Sequence, residues 1–574
     1  MPGLVGFVSN ALNKSQSLKS LNEMCSLITH KHFHVRLPLF QDGTVSATSV
    51  HLGIMSKHEQ HAANLDDIYV WIDGELYNQE SLIRDHDLYS DPEIIAMLYR
   101  DDTQLKFLDK LNGVFSFIIY DFSRQLVHLV TDRHGLKHLY WGVFNGSLIW
   151  SSEVKAFLGF SGFIPKIDYQ SVDDFFLEGY LKGNKTWFCG VELLPSGAIL
   201  TWDLLARKQA LRQYYSWESI NPLSKRINEK DVIDELGRLF SQAVERQTRK
   251  QSEKIGITLS GGLDSRAILA AIPEIAHPIP TLTFGKANCD DARIAKIVAN
   301  LKGATHQLYE LDHKNWLAPR LEGVWITDGQ LDLAHMHGVE AHEAMRKSFQ
   351  INMNGYLGDA LLGGSYYELC DNLGVSLHEV FQNRGRRFIA MGTCLLEVSV
   401  RNRKPFFDNQ LMEFTLSIPE FMRRDSYIYN KMLLHKFPEY FQSIPWGKTG
   451  IPIGSSSYKQ FVSRFRRSLK YRFFRQLSKV GFNYNNPNAY TDIPRWIREE
   501  PASSFFKDVL GSHTAIYPEY IDRKKVFNEL EEHLSGRHDF STNLCRYLTF
   551  DLWLQQVFED KYRKPHLPIS TRRR

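Results

Sequence analysis

The part of this sequence best suited to chemistry is a glycine-rich loop that directly follows a short apolar run. Residues 260–265 read Ser-Gly-Gly-Leu-Asp-Ser, after a buried-type strand predicted at 255–259 and before a helical segment at 266–271. Paired glycines let the backbone turn tightly, and the start of a helix offers free N–H groups to an anion. A plain strand-to-helix connection would explain the glycines alone. The whole stretch instead predicts a phosphate cradle built from Ser260, Gly261, Gly262 and Ser265.

An aspartate inside a phosphate cradle requires a cation between the two negative charges. Asp264 would repel phosphate oxygens unless Mg²⁺, which binds carboxylate and phosphate oxygens, bridged them. A second glycine-rich stretch, 354–364, places Asp359 after another apolar run. If both runs are parallel strands, their carboxyl ends meet at one sheet edge, where nucleotides bind. The sequence therefore predicts Asp264 and Asp359 as metal ligands at a nucleotide site, against the alternative of two unrelated surface turns.

The elements that carry these loops fall into two kinds of region. Up to about residue 205, short apolar runs alternate with turn signals, which predicts antiparallel sheet with helices near 91–110 and 170–181. After the polar stretch 217–230 strands alternate with helices, which predicts a parallel sheet, and from about 375 the pattern is mainly helical. At 574 residues the chain is too long for one core. Two domains are predicted, at 1–210 and 225–574.

Composition argues against several classes of function. The formal charge of +4 comes from 69 basic and 65 acidic residues and is too small to predict nucleic acid as the main partner. Six cysteines without a close pair indicate neither a zinc site nor a disulfide scaffold. No window approaches the ~18 apolar residues of a membrane span, so a soluble cytoplasmic protein without membrane contact is predicted. The basic segment 464–475 is interpreted as a solvated amphipathic helix, with a surface for an acidic peptide or nucleic acid as the alternative.

The motifs resemble those of the asparagine synthetase family over nearly the full chain. The first loop is similar to the pyrophosphate-binding loop of the N-type ATP pyrophosphatases, and the second to Gly-Glu-Gly-Xaa-Asp-Glu-Leu-Phe-Gly-Gly. Residues 71–78, 111–117, 132–140 and 151–156 match family landmarks in the preserved order. The resemblance implies an Ntn-hydrolase-like αββα sandwich, then a parallel-sheet, adenine-nucleotide α-hydrolase-like synthetase domain with a helical C-terminal region.

The same resemblance implies site residues beyond the two aspartates. Phe284 and Gly285 correspond to the strand end that contacts adenosine, and Gly355 belongs to the second loop. Lys448, in the glycine-rich stretch 445–452, corresponds to the catalytic lysine. Its ammonium would stabilise charge that develops on the adenylate and on the tetrahedral intermediate, whereas a solvated loop lysine is the alternative.

Two departures from the family pattern argue against the use of glutamine. Glutamine-dependent members use an N-terminal cysteine as nucleophile, but position 2 here is proline, and Cys25 lies too far along the chain to be assumed a substitute. Asp73 stands where a family asparagine donates to the oxyanion, and a carboxylate would repel that charge. The first domain is therefore predicted to be a degenerate class II glutamine amidotransferase-like domain that serves as a scaffold.

This combination resembles β-lactam synthetase, carbapenam synthetase and the lasso peptide cyclases, in which the substrate brings the amine. Tyr356 stands where the β-lactam enzymes use a tyrosine to deprotonate that amine, and simple packing is an equal alternative. Glu397 is the nearest candidate for its glutamate partner. The resemblance implies an AMP-forming ligase for a carboxylate-bearing substrate. Isopeptide closure of a lasso-type precursor peptide, with a protein that presents it, is preferred. An ammonia-dependent synthetase and a non-catalytic nucleotide-binding regulator are the alternatives.

Histidines give weaker signals. Three of them alternate between His30 and His34, as on one face of a strand, and are interpreted as structural. His335, His337 and His342 lie in a predicted helical stretch before the second loop and are candidates for the acceptor pocket.

Overall fold

The first half of the chain is a sandwich of two antiparallel sheets. In the computed structural model, one sheet has the order β11-β9-β10-β1-β4-β2, with β3 beside β4, and the other has the order β13-β12-β8-β7-β6-β5. These strands are β1 (Leu4–Val8), β2 (Val35–Arg36), β3 (Phe40–Gln41), β4 (Val45–His51), β5 (Ala63–Leu65), β6 (Ile68–Leu76), β7 (Gly113–Asp121), β8 (Leu126–Thr131), β9 (Tyr140–Phe144), β10 (Ser147–Ser151), β11 (Glu192–Leu193), β12 (Ala198–Asp203) and β13 (Lys208–Gln213). The structure describes residues 2–54, 62–84, 89–224, 226–249, 254–274, 278–456 and 488–561, with nine residues between 458 and 473.

The two-residue period of β1 shows how the sandwich forms. Leu4 and Val8 point into the cluster between the two sheets, whereas Val5 and Phe7 point to the opposite side, because successive side chains of a strand alternate between its faces. On that opposite side the helix Lys14–Leu27 covers the first sheet. The helix Asp91–Asp101 covers the second sheet, and Gln79–Leu82 and Tyr169–Glu178 are further helices of this half. The predicted αββα sandwich is confirmed.

The second half contains a parallel sheet of five strands in the order β16-β15-β14-β17-β18. They are β14 (Ile255–Thr258), β15 (Pro280–Gly285), β16 (Thr305–Glu310), β17 (Ile351–Met353) and β18 (Arg401–Arg403). The helices that connect and surround them are Glu229–Thr248, Asp264–Ala271, Asp290–Lys302, Leu317–Ile326, His342–Ser348, Gly358–Leu361, Tyr367–Leu373, Leu377–Val380 and Ala390–Leu396, with a π-helix at Phe381–Ile389. Helices alternating with parallel strands confirm the predicted fold class.

The C-terminal region is helical, as predicted. Its helices are Asn409–Ser417, Glu420–Arg423, Tyr427–Lys436, Pro438–Phe441, Ile493–Trp496, Ala502–Leu510, Arg523–Leu534 and Ser541–Phe558. Among the helices that the structure describes, none has both the length and the apolar character needed to cross a membrane. The basic segment 464–475 lies mostly outside the described residues.

A large apolar cluster joins the two halves of the chain. It combines Phe175 and Trp187 of the first half with Trp316 and Trp553 of the second. The rings of Trp187 and Phe550 lie 5.3 Å apart. Burying a large apolar side chain contributes roughly 2 kcal/mol, so this shared core fixes the parallel sheet against the sandwich.

Two local predictions were wrong. The histidines between His30 and His34 lie in a turn and not on a strand. Two of their rings contact distant groups that hold them in this turn. His30 Nε2 lies 2.8 Å from the carboxylate of Glu153, and His34 Nε2 lies 2.9 Å from the carbonyl oxygen of Val398. The helix predicted near 91–110 ends at Asp101. Leu105 then adopts a left-handed conformation with φ 63°, which an α-helix cannot accommodate, and a short 3₁₀ helix follows it.

Candidate active site

The phosphate loop lies at the carboxyl end of β14, where two of its backbone amides donate to its own serine hydroxyl groups. The Ser260 amide donates to Ser265 Oγ (3.2 Å), and the Gly262 amide donates to Ser260 Oγ (3.2 Å). The Gly261 amide donates instead to a carboxylate oxygen of Asp291, at 2.7 Å. The serines and glycines predicted to cradle phosphate therefore form one compact turn directly before the helix Asp264–Ala271.

The two predicted metal ligands meet beside this turn. The Asp359 amide donates to Asp264 Oδ2 (2.9 Å), and the hydroxyl of Tyr429 donates to Asp264 Oδ1 (3.0 Å). A Cβ at Gly355 would lie 2.9 Å from Asp264 Cβ, and one at Gly358 would lie 2.7 Å from Asp264 Cγ. Glycine at both positions therefore lets the second loop approach the first.

The electrostatics of this pair fit a bound cation. Burial and the neighbouring charge of Asp359 raise the pKa of Asp264 to about 7. Within the described part of the chain, the buried Oδ1 of Asp359 has no hydrogen-bond partner. Two carboxylates that share a site cannot both ionise easily, and a divalent cation with oxygen ligands would remove that repulsion. Asp264 and Asp359 are therefore suited to hold Mg²⁺.

The Lys448 loop lies directly on the phosphate loop. The amide of Gly447 donates to the carbonyl oxygen of Gly261 at 2.9 Å, and a Cβ at Gly447 would lie 3.1 Å from that oxygen. The ammonium of Lys448 is 5.3 Å from the centroid of the buried Trp446 ring. This packing brings the predicted catalytic lysine to the same cavity as the aspartates.

That cavity has a volume of about 570 Å³ and continues from the loops toward an aromatic end. Phe284, His337 and Tyr490 line this end, and the Tyr490 hydroxyl lies 3.0 Å from Nε2 of His337. Burial keeps the pKa of His337 well below its usual value, so its imidazole is neutral. The remaining lining residues are Thr258, Leu259, Ser260, Gly262, Leu263, Asp264, Ser265, Thr283, Asp291, Asn354, Gly355, Asp359, Trp446 and Lys448.

Two lining residues, Asp291 and Tyr490, were not predicted from the sequence. Asp291 follows β15, so it lies at the same sheet edge as the loops. Tyr490 belongs to the distant C-terminal region and had no motif to mark it; its carbonyl oxygen accepts from the amide of Lys286 at 2.9 Å. Among the described residues, Gly261 and Gly285 do not line the cavity.

Tyr356 lies outside the described wall of this cavity. Only 3% of the residue is exposed, and its hydroxyl donates to the carbonyl oxygen of Gly385 at 2.8 Å. Its ring packs 5.2 Å from that of Phe407 and beneath the ammonium of Lys404. Burial raises the pKa of Tyr356 well above its usual value. This geometry fits the packing interpretation and gives no support to a role as base.

Glu397 faces the first domain instead of the cavity. Its carboxylate lies 2.8 Å from the ammonium of Lys137 and 3.9 Å from that of Lys404. Burial alone would raise the pKa of Glu397, but these two ammonium groups outweigh burial and lower it. The side chain is therefore part of an ion-pair network between the domains, and the structure does not bring it to Tyr356 Oη.

Asp73 and Glu75, from the stretch of the first domain that resembles the amidotransferase motif, are ion-paired in the same region. Asp73 lies 3.2 Å from the ammonium of Lys137, and Glu75 lies 2.9 Å from the guanidinium of Arg403. Cys25 is fully buried in a helix that covers the sandwich, and burial raises the pKa of its thiol. These contacts leave Asp73 as an ion-paired carboxylate, and Cys25 is no substitute nucleophile.

Comparison with known families agrees with this geometry. Residues 1–215 match a glutamine amidotransferase domain, and residues 235–388 match the asparagine synthase family. The second region of this chain is thus similar to the asparagine synthase family. An asparagine synthase domain implies the use of ATP. The matched synthase region contains both glycine-rich loops and ends before Lys448.

Relatives are about one quarter identical to this chain over the aligned parts. Asparagine synthetase [glutamine-hydrolyzing] 2 of Bacillus subtilis is 26% identical over 63% of this chain and 52% of its own length. Amidase chyE of Penicillium rubens is 27% identical over 54% of this chain and 49% of its own. The putative asparagine synthetase [glutamine-hydrolyzing] 2 of Methanocaldococcus jannaschii is 27% identical over 52% and 59% respectively. The chain thus spans about half the length of these relatives.

Proposed function

We propose that this protein adenylates a substrate carboxylate with ATP, releases pyrophosphate, and joins the activated carboxylate to an amine without using glutamine. The observation that carries the proposal is the meeting of Asp264, Asp359 and Lys448 around one cavity beside the phosphate loop. Two carboxylates without a cationic partner in the described structure suit a magnesium–phosphate complex. The lysine suits the charge that develops when the carboxylate attacks the α-phosphate.

Different residues along the cavity serve different parts of the nucleotide. Phe284, His337 and Tyr490 form an aromatic wall for the base, and the glycine-rich turn at 260–265 lies beside the phosphates. Mg²⁺, when held by Asp264 and Asp359, would neutralise phosphate charge. The Lys448 ammonium then stabilises the negative oxygens of the transition state. Because the loop already holds this ammonium beside the cavity, the loop does not have to rearrange during the reaction.

The amine is proposed to arrive with the substrate. The first domain has proline at position 2 and an ion-paired Asp73, so it supplies neither a thiolate nor an oxyanion donor. Without glutamine as a source of ammonia, the simplest amine is one borne by the same molecule or by a peptide. We propose amide closure within a peptide, of the lasso type, as the specific form of the reaction. The domain that once served glutamine then acts as a scaffold.

Pyrophosphate release from magnesium-ATP tests the adenylation step. The assay uses the full chain with a panel of carboxylate-bearing peptides and amino acids, beside Asp264→Asn and Asp359→Asn. Asp234→Asn is the matched control, because this exposed aspartate pairs with His435 on an outer helix. Substrate-dependent pyrophosphate that both site variants abolish and the control retains is the expected result.

The products separate the possible amines. A peptide that loses one water supports intramolecular closure, whereas an amidated small carboxylate formed with ammonium as the sole nitrogen donor supports an ammonia-dependent synthetase. Tight binding of ATP without cleavage, whatever carboxylate is added, would overturn the proposal in favour of a regulatory nucleotide-binding protein.

A further inference from the structure

A buried arginine joins the phosphate loop to the lysine loop. Arg266 lies in the first turn of the helix after the phosphate loop, and only 1% of it is exposed. Its guanidinium donates to four backbone carbonyl oxygens in two separate segments. The acceptors are Gly261 (3.2 Å) in the phosphate loop and Tyr440 (3.4 Å), Ile444 (3.3 Å) and Pro445 (2.8 Å) before Lys448.

The carbonyl group of Gly261 is where the two loops meet. It accepts from the guanidinium of Arg266 and also from the amide of Gly447, at 2.9 Å. Lys448 is the next residue. The lysine loop closes on itself through the amide of Trp446, which donates to the carbonyl oxygen of Ile451 at 3.0 Å. A single charged group thus fixes the base of the turn that presents the lysine.

The charge of this arginine is retained despite its burial. Burial lowers the pKa of Arg266 to about 10, which still leaves the guanidinium protonated at neutral pH. Its Cζ atom lies 5.4 Å from the ring centroid of Phe441. Hydrogen bonds from a charged donor are about twice as strong as neutral ones, and an apolar side chain would remove the donor that the four carbonyl groups share.

We propose that Arg266 is a positioning residue that holds Lys448 at the reacting phosphate. Arg266 does not belong to the described cavity wall, so it acts through the lysine loop and not by touching nucleotide. The proposal rests on the role proposed above for Lys448. It predicts that losing the guanidinium misplaces the ammonium while the aspartate pair and the base wall keep their places.

A double-mutant cycle measures this dependence. Arg266→Met is expected to lower kcat for pyrophosphate release about 10- to 100-fold, as a displacement of ~1 Å can, with KM for ATP changed by less than about threefold. Arg266→Lys keeps the positive charge but not the forked guanidinium, and should recover part of the rate that Arg266→Met loses. Once Lys448→Ala is present, Arg266→Met should cost almost nothing further. Losses that multiply in the double variant would overturn the proposal.

Amide hydrogen exchange tests the positioning itself, independently of any chemistry. In Arg266→Met, exchange in the segment 443–452 should accelerate at least tenfold. The control is Arg387→Met, which removes another buried arginine whose guanidinium donates to the carbonyl oxygen of Lys185 and should leave this segment unchanged. Thermal melting confirms that each variant is folded. Unchanged exchange in folded Arg266→Met or Arg266→Lys would refute the inference, even if the wild-type chain releases no pyrophosphate.

Discussion

The two halves of this protein treat their functional carboxylates in opposite ways. In the first half, Asp73 and Glu75 are neutralised by cations of the protein, from Lys137 and Arg403. In the second half, the described contacts of Asp264 are with a tyrosine hydroxyl and a backbone amide, and no side-chain cation joins them. A carboxylate with a counter-ion in the protein is suited to a structural role, whereas one without such a counter-ion is suited to hold a cation. The comparison therefore distinguishes an ion-paired network in the first half from a candidate metal site in the second.

Removing one carboxylate of the pair Asp264 and Asp359 should have opposite effects on activity and stability. Asp359→Asn is expected to lower pyrophosphate release at least 100-fold, in line with losses seen when metal ligands or their supports are removed. The metal-free protein should nevertheless melt at the same or a higher temperature, because the repulsion with Asp264 disappears. Thermal melting without Mg²⁺ checks this. A clearly lower melting temperature would show that Asp359 has a structural counter-charge.

Breaking the ion-pair network around Lys137 should have the reverse outcome: stability falls, and activity is retained. Lys137→Met leaves Asp73 and Glu397 buried with one cation fewer, and removing one partner of a buried ion pair typically costs about 3–5 kcal/mol. Urea denaturation should show a loss of this size. Pyrophosphate release by the fraction that remains folded should stay within about threefold of wild type, since Lys137 does not belong to the described cavity wall. Loss of activity without loss of stability would contradict the assignment of this site as structural.

The stability of the metal-free protein should depend on pH through Asp264. Its pKa in the folded state is about 7, above the value of 3.8 for an unperturbed aspartate, so between these values the folded state binds the extra proton. The free energy of unfolding therefore falls as pH rises from about 4 to about 7. Melting temperatures across this range should show the slope. Both saturating Mg²⁺ and the variant Asp264→Asn should flatten it, and a slope that persists in Asp264→Asn must come from another group.

The smallest effect is expected at Tyr356. Tyr356→Phe removes a hydrogen bond to the carbonyl oxygen of Gly385 and should cost about 1 kcal/mol of stability. Adenylation and amide formation should both stay within about threefold of wild type. If amide formation falls about 100-fold while pyrophosphate release persists, Tyr356 does act as the base. The packing interpretation would then fail.

The sequence made the phosphate loop, the aspartate pair and both sheet types predictable, because each depends on local features. Ser-Gly-Gly-Leu-Asp-Ser carries its own turn chemistry, and the parallel sheet brings the ends of its strands together. The surroundings of Tyr356 and Glu397 were not predictable, since their partners lie 29 and 260 residues away along the chain. Tyr490 could not be found for the same reason. Chemistry that resides in a short motif is visible in sequence, and chemistry set by tertiary partners is not.

The shared apolar cluster makes the two halves of the chain structurally dependent on each other. Trp187 and Phe175 of the sandwich pack with Trp553 and Trp316 of the synthetase half, and Arg386 donates from the π-helix to the carbonyl oxygens of Gly135 and Leu194. Deleting the sandwich would expose Trp316, Trp553 and a buried guanidinium of the second half. The second half therefore needs the sandwich for its own packing, whatever chemistry the sandwich performs. The sandwich is a permanent, covalently attached folding partner of the parallel-sheet half.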